Sequence, residues 1–164
     1  MRTPQLSLSL LLLLTFYADG LTNAQLLFAT TDVEMHVIGA PTLIKSRDLN
    51  FGSVWQGMTT LTVNPVTGGN SAAFFTLTTQ ANSSVSISFS STDLTSGTNS
   101  ISFSGLLSGN SSPDQNTSAL ISSGNSLTAG PSGDFYLWAG GTANLAPDQL
   151  IGVYTGSFTI TIVY

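Results

Sequence analysis

The sequence has no cysteine and very few charged side chains. Of its 164 residues, three are Lys or Arg, eight are Asp or Glu and one is His. Charged residues make up 7% of the chain, whereas about 25% is usual. The absence of cysteine excludes disulfides, thiolate catalysis and the common structural zinc sites. The net charge of −5 and the lack of a basic face exclude nucleic-acid binding.

The chain also lacks an apolar run long enough to span a bilayer. Its longest run, residues 6–16, is shorter than the roughly 20 residues of a membrane helix. The run follows Arg2 and precedes a small residue, Ala24, which is the pattern of a secretory signal peptide. We predict a signal peptide over residues 1–24, with cleavage before Gln25; an uncleaved anchor is the alternative. Residues 25–164 then form a single domain, large enough for one core without disulfides.

Polarity comes instead from Ser and Thr, which together exceed a quarter of the residues. They alternate with apolar residues, as in residues 84–90 and 157–162, and this period of two predicts strands with one buried face. Gly, Pro and Asn separate the runs, so we predict an all-β antiparallel sandwich of about eight strands. Residues 108–118 are expected to form a surface loop. The predicted strands are centred near 33–37, 48–55, 58–64, 73–79, 84–90, 100–104, 134–139 and 152–164.

Candidate catalytic and metal-binding groups are sparse. Asp32, Glu34 and His36 share one face of a predicted strand and could together ligate a divalent metal. The solvated face of an amphipathic strand is the favoured interpretation. The scattered acids lie beside turn residues, where Asp accepts backbone hydrogen bonds; they are Asp93, Asp114, Asp134 and Asp148. We therefore expect no catalytic residue, no metal site, no cofactor and no enzymatic activity.

The aromatic residues allow two interpretations. In residues 135–138 alternation places Phe135 and Leu137 on one face of a strand and Tyr136 and Trp138 on the other. These rings could form a sugar-stacking platform. The favoured alternative is a central strand covered on both faces, which requires apolar residues on both. Trp55, beside other apolar residues, is expected in the core.

Three blocks of the sequence, taken together, resemble a known family. They are residues 49–54 (LNFGSV), similar to an opening strand, then residues 61–77, and finally residues 138–142 with 152–164. Together they resemble the bacterial domain of unknown function 4402 family. The last block is also similar to the final strand of spore-coat-U-type and other fimbrial subunits, which periplasmic chaperones and outer-membrane ushers assemble. Such subunits have a Gly twelve residues before a near-terminal Tyr, as Gly152 and Tyr164 are here. The chain departs from them in ending at that Tyr and in lacking their two cysteines.

The resemblance implies an immunoglobulin-like or pilin-like sandwich that lacks one strand. A segment of the next subunit fills the groove by β-augmentation. The candidate donor strand lies in residues 25–38 and alternates through Leu27, Ala29, Thr31, Val33, Met35 and Val37. The candidate subunit or chaperone interface comprises Gly152, Phe158, Ile160, Ile162 and Tyr164. The alternative is that residues 27–37 are the first strand of a complete sandwich.

These features predict a secreted structural or adhesive protein of the bacterial cell surface, exported through the periplasm, with a fimbria-like subunit as its specific form. The alternative is a stand-alone secreted binding module, for example for carbohydrate. Expected partners are copies of the chain itself, or a periplasmic chaperone and an outer-membrane usher. Neither nucleic acid nor an integral membrane segment in the mature form is expected.

The signal-peptide assignment predicts the mature N-terminus. N-terminal mass spectrometry of exported protein is expected to find Gln25, or its cyclised form, because Ala24 supplies the small residue at the cleavage position. A mature product that retains residues 6–16 would contradict the assignment.

Overall fold

The computed structural model describes Asp32, Glu34, Met35 and residues 39–164. The chain divides into two units, residues 1–36 and residues 37–164. In the first unit the three described residues are exposed. The second unit is built from strands, whose bounds are β1 Thr42–Arg47, β2 Thr60–Val63, β3 Ala73–Thr78, β4 Ser84–Ser91, β5 Leu94–Ser96, β6 Asn99–Asn110, β7 Ala119–Ile121, β8 Asn125–Thr128, β9 Asp134–Asn144 and β10 Phe158–Val163. Two single 3-10 turns, Gly69–Ser71 and Gln115–Thr117, interrupt the loops.

The ten strands form two antiparallel sheets of unequal size. The larger has seven strands in the order β1-β3-β9-β6-β5, with β2 also beside β9 and β7 also beside β6. The smaller has three strands in the order β10-β4-β8. The predicted all-β antiparallel sandwich is therefore confirmed, with ten strands in residues 39–164 instead of about eight.

The main core lies between the sheets and follows the predicted alternation. On β4, Val85 and Ile87 are buried whereas Ser84 and Ser90 are exposed, because successive side chains of a strand point to opposite faces. Half-buried residues, including Leu43 and three residues of β10, Phe158, Ile160 and Ile162, pack against this core. Its buried members are Ala73, Phe75, Leu77, Val85, Ile87, Leu107, Ile121, Leu137 and Ala139.

Strand β9 is covered on both faces, as the central-strand interpretation of residues 135–138 predicts. Leu137 belongs to the main core. Trp138, which is only 3% exposed, packs on the opposite face with Val63 and Ala72. Phe74 stacks on Trp138 with a centroid separation of 5.4 Å, and the Arg47 guanidinium lies 5.8 Å from the Phe74 ring centroid. Trp138 is therefore not part of an exposed aromatic platform.

A glycine lets the two sheets approach closely. A Cβ atom on Gly105 of β6 would lie 2.5 Å from Cε2 of Phe158, a separation at which one of the two atoms would have to move. The absent side chain at Gly105 thus makes room for the Phe158 ring, which anchors the first residue of β10 against the larger sheet.

A buried network of hydroxyl groups fastens the loop after β6. Ser108, which is fully buried, donates to the Pro65 carbonyl at 3.1 Å and accepts from Ser118 at 2.9 Å. The side-chain amide of Gln115 donates to the same Pro65 carbonyl at 2.8 Å. These bonds satisfy the polar groups that burial removes from water, as the interior of a protein requires.

The prediction of a strand at residues 48–55 is wrong. The opening strand is β1, and residues 48–59 have no strand conformation. The Asn50 side chain accepts a hydrogen bond from the Gly52 amide at 2.7 Å, and Gly52 has a φ of 74°. This local turn bends the chain out of an extended path, so the block 49–54 is a loop and not an opening strand.

Other strand boundaries also differ from the sequence-based expectation. Strand β6 continues to Asn110, so the loop expected at 108–118 begins only at residue 111. The strand expected at 152–164 begins at Phe158, because residues 151–152 form a bend. The expected strand at 33–37 lies largely outside the described residues. Strands β5, β7 and β8 are only three or four residues long, too short for a period of two to reveal them.

The packing of β10 predicts a difference in stability between its two faces. Ile160 packs against the core, so Ile160→Ala is expected to lower the free energy of unfolding by about 2 kcal/mol, the lower end of the range for buried isoleucine. Thr161 is exposed, and Thr161→Ala is expected to cost under about 1 kcal/mol. Urea denaturation of the mature variants measures both values; equal losses would mean that both faces of β10 are buried.

Candidate functional site

Strand β10 is an edge strand with an unpaired side. Within residues 39–164 it pairs with β4 alone, from Phe158 opposite Ser91 to Val163 opposite Ser86. The N–H and C=O groups along its other side have no strand partner in this part of the chain. Such an edge is a template for pairing with a further strand.

The side chains of β10 do nothing to discourage that pairing. Phe158, Ile160 and Ile162 are half-buried on the core side, and Thr159 and Thr161 are exposed on the other. No charged side chain follows Asp148 in the sequence. Natural proteins usually protect an edge with charge, proline or a bulge, and a six-residue β-prone segment without these is an aggregation hazard unless it is covered.

A cleft of about 800 Å³ opens beside the first residue of β10. Its floor is formed by inward residues of the larger sheet, including Phe75 and Phe103, and its walls by residues 48–54 and 152–158. Lys45 and Asp48 lie at its rim. The lining is otherwise apolar or uncharged, so the cleft is suited to apolar side chains.

The cleft is a consequence of the unequal sheets. Strand β4 packs across β6, and Phe158 of β10 lies over Gly105 of the same strand. Three strands cover only part of a face that is five strands wide. The apolar residues nearest the β1 edge, Leu43 and Leu49, therefore remain half-buried.

Strand β1, the edge strand of the larger sheet, is protected where β10 is not. Lys45 is opposite Phe75 in the register and so lies on the core-facing side of the sheet. Its ammonium group forms an ion pair with Asp48 at 2.5 Å. An inward-pointing charge on an edge strand opposes edge-to-edge pairing. The edges at β1 and β10 are thus chemically different, and of these two β10 is the one suited to accept a strand.

Of the five predicted interface residues, three lie together on β10 and two lie outside this strand. Phe158, Ile160 and Ile162 share the inner face of β10. Gly152 lies in the bend before β10 and lines the cleft. Tyr164 follows the end of β10 and is 74% exposed.

Of the candidate donor residues, only Met35 is described, and its side chain is 81% exposed. The other five, Leu27, Ala29, Thr31, Val33 and Val37, lie outside the described residues. Sequence reasoning missed Lys45 and Asp48. The signal for Lys45 was its rarity, since it is the only lysine in the chain.

Three aspartates of the sandwich accept hydrogen bonds from other groups of the fold. Asp114 accepts from the Asn116 amide at 3.1 Å and caps a 3-10 turn, as expected for Asp in a turn. Asp93 accepts from the Phe103 amide at 3.1 Å, and Asp134 accepts from the Thr78 hydroxyl at 2.9 Å. Among the described residues, no three His, Asp or Glu side chains cluster as a metal site. His36, of the candidate metal triplet, lies outside that part of the chain.

The fold and the site define an all-β sandwich in which the uncharged edge strand β10 lies beside an apolar cleft. The chain belongs to the domain of unknown function family DUF4402, whose model matches residues 42–164. The match begins at the first residue of β1 and includes all ten strands. No curated protein matches the chain. Within the described residues, no helix has the length and hydropathy needed to cross a membrane.

The protective role of Lys45 predicts the effect of removing its charge. Lys45→Leu is expected to increase self-association, because it removes the inward-pointing charge of β1 and enlarges the apolar rim of the cleft. The free energy of unfolding is expected to change by less than about 0.5 kcal/mol, as for other exposed positions. Sedimentation velocity over a range of protein concentrations measures the association.

Asp48→Asn is the matched control for Lys45→Leu, since it breaks the same ion pair but keeps the lysine. It is expected to leave association unchanged. If Lys45→Leu sediments like the unmodified protein at every concentration, Lys45 does not protect the edge.

Proposed function

We propose that this protein is a secreted structural or adhesive protein of the bacterial surface, a fimbria-like subunit whose copies assemble by strand donation. Residues 27–37 of one copy pair with β10 of another. The observation that carries the proposal is the uncharged, unpaired edge of β10 beside an apolar cleft.

The donor segment matches the acceptor in its alternation. Val33, Met35 and Val37 share one face of an extended strand, which in the complex faces the core side of β10. Burial of each of these side chains contributes about 1.5–3 kcal/mol. Asp32 and Glu34, which are exposed, have the opposite parity and remain in water, so insertion buries no charge.

The lengths of donor and acceptor are also compatible. Six residues of β10 extend about 20 Å, and eleven donor residues extend about 36 Å, at about 3.3 Å per residue. The donor therefore covers the whole of β10, and its excess length reaches the cleft. There its apolar side chains cover the half-buried lining residues Leu49 and Phe51.

Export and assembly partners are part of the same proposal. The predicted signal peptide over residues 1–24 directs the chain out of the cytoplasm, and an aggregation-prone edge then needs temporary cover during export. A periplasmic chaperone would supply that cover and an outer-membrane usher the site of assembly, as the resemblance to fimbrial subunits implies.

The proposal predicts that charge on the inward face of the donor prevents assembly. The double variant Val33→Asp/Val37→Asp is expected to remain monomeric and folded, because insertion would bury two unpaired carboxylates. Size-exclusion chromatography and electron microscopy compare it with the mature chain and with a version lacking residues 25–38.

His36→Asp is the matched control, because it adds an acid to the same segment on the opposite, solvent-facing parity. It is expected to assemble like the unmodified chain. If the unmodified mature chain is a stable monomer with residues 27–37 paired inside its own sheet, strand donation fails. The complete sandwich of a stand-alone binding module then becomes the better proposal.

A further inference from the structure

Two loops at one end of the sandwich expose an unusual amount of apolar surface. Trp55, expected in the core from sequence, is 85% exposed, and Ile151 and Val153 are 92% and 82% exposed. Large contiguous apolar patches on soluble proteins mark interaction sites. We call this set the loop-tip patch; it comprises Val54, Trp55, Met58, Leu150, Ile151 and Val153.

The loop-tip patch is held in place by hydrogen bonds between and within its loops. The side-chain amide of Gln56 donates to the Gln149 backbone carbonyl at 3.1 Å. The backbone amide of Leu145 donates to the Thr59 carbonyl at 2.9 Å. The Tyr154 hydroxyl donates to the Leu150 carbonyl at 2.9 Å. A turn with Gly57 at a φ of 97° begins at Trp55, whose carbonyl accepts from the Met58 amide at 3.3 Å. The exposure is therefore a property of ordered loops.

The loop-tip patch adjoins the proposed acceptor groove. Val54 and Val153 line the same cleft as Phe158. Every strand pair in both sheets is antiparallel, and antiparallel pairing is slightly more stable per residue. A donor strand antiparallel to β10 has its C-terminal end, residue 37, at the Phe158 end of β10, beside the patch.

A short connection then forces the donor copy against the patch. Four residues separate Val37 from Thr42, the first residue of β1. The path from residue 37 to residue 42 is at most about 18 Å, at about 3.6 Å per residue. The donor's own sandwich must therefore begin within this distance of the loop-tip patch, and the two domains touch.

The surface that the donor copy presents there is the opposite end of its sandwich. In the register of the larger sheet, Thr42 of β1 is opposite Thr78 of β3, and Thr78 is opposite Asp134, the first residue of β9. The patch lies beyond the other end of β9, at Asn144. Two turns, residues 79–83 and 129–133, form this opposite end and are joined by a hydrogen bond from the Thr79 amide to the Gly133 carbonyl at 2.8 Å. Neither turn contains a charged residue.

We propose that the loop-tip patch of one copy docks against turns 79–83 and 129–133 of the copy that donates its strand, as a second contact between successive subunits. This inference rests on the proposed strand donation. Asp48 and Asp148 are the only charged side chains in loops 48–59 and 145–157, so the contact removes apolar surface from water with little desolvation of charge. The contact joins different surfaces head to tail and so extends a filament.

Tryptophan fluorescence tests the contact in the full mature chain. The protein has two tryptophans, and because Trp138 is 3% exposed and Trp55 85% exposed, acrylamide quenching reports mainly on Trp55. Assembled chains are expected to show strongly reduced quenching relative to the monomeric Val33→Asp/Val37→Asp variant. Assemblies in which Trp55 remains as accessible as in that monomer would overturn the proposal.

A patch variant separates docking from strand capture. Leu150→Ser/Ile151→Ser keeps Trp55 as the probe and changes no residue of the cleft lining. Its assemblies are expected to dissociate about tenfold faster or more, the effect of losing one interface hot spot. Leu120→Ser, which removes a 64% exposed leucine on β7, is the control and is expected to leave dissociation unchanged.

Two further measurements distinguish the possible failures. A fluorescent synthetic peptide of residues 25–38 is expected to bind the Val33→Asp/Val37→Asp chain equally well with and without the patch substitutions. Capture of the peptide together with unchanged dissociation of the patch variant overturns the docking contact and leaves strand donation standing. No capture, with a monomeric mature chain, overturns both. Protection of Trp55 by phosphatidylcholine vesicles, and not by other copies, assigns the patch to a membrane surface and overturns the contact.

Discussion

Backbone N–H and C=O groups along the edge of a sheet need hydrogen-bond partners, and the rest of the structure depends on this constraint. The larger sheet ends in β1, where Lys45 lies on the core-facing side, and the smaller sheet ends in β10, which carries no charge. A three-stranded sheet cannot cover a five-strand face, so the same asymmetry that exposes the β10 backbone also opens the apolar cleft. One added strand would resolve both problems at once.

The scarcity of charge shapes how the rest of the sandwich is held together. The ion pair between Lys45 and Asp48 is exposed, and charged residues make up only 7% of the chain. Hydroxyl and amide groups take over the ordering of loops, as Ser108 does where the loop after β6 is fastened to Pro65. These neutral bonds avoid the desolvation cost of buried charge.

A sparsely charged surface and an uncovered edge have a common functional meaning in the proposed assembly. Two domains pressed end to end need contacting surfaces whose burial is favourable, and both the loop-tip patch and the two turns at the opposite end are almost free of charge. Strand insertion would supply backbone hydrogen bonds, and docking would supply apolar burial. The two contributions come from different chemistry, so they are separable by substitution.

The sequence by itself determined the strands whose alternation is local. Residues 84–91 and 158–163 are strands with one apolar face, and the doubly apolar segment 135–138 lies in a central strand, because the pleat assigns each side chain to a face. Only the tertiary structure decided which edges stay open, where the cleft lies and that Trp55 points outward. Short strands such as β7 owe their conformation to partners distant in sequence, and the alternation of nearby residues carries no record of those partners.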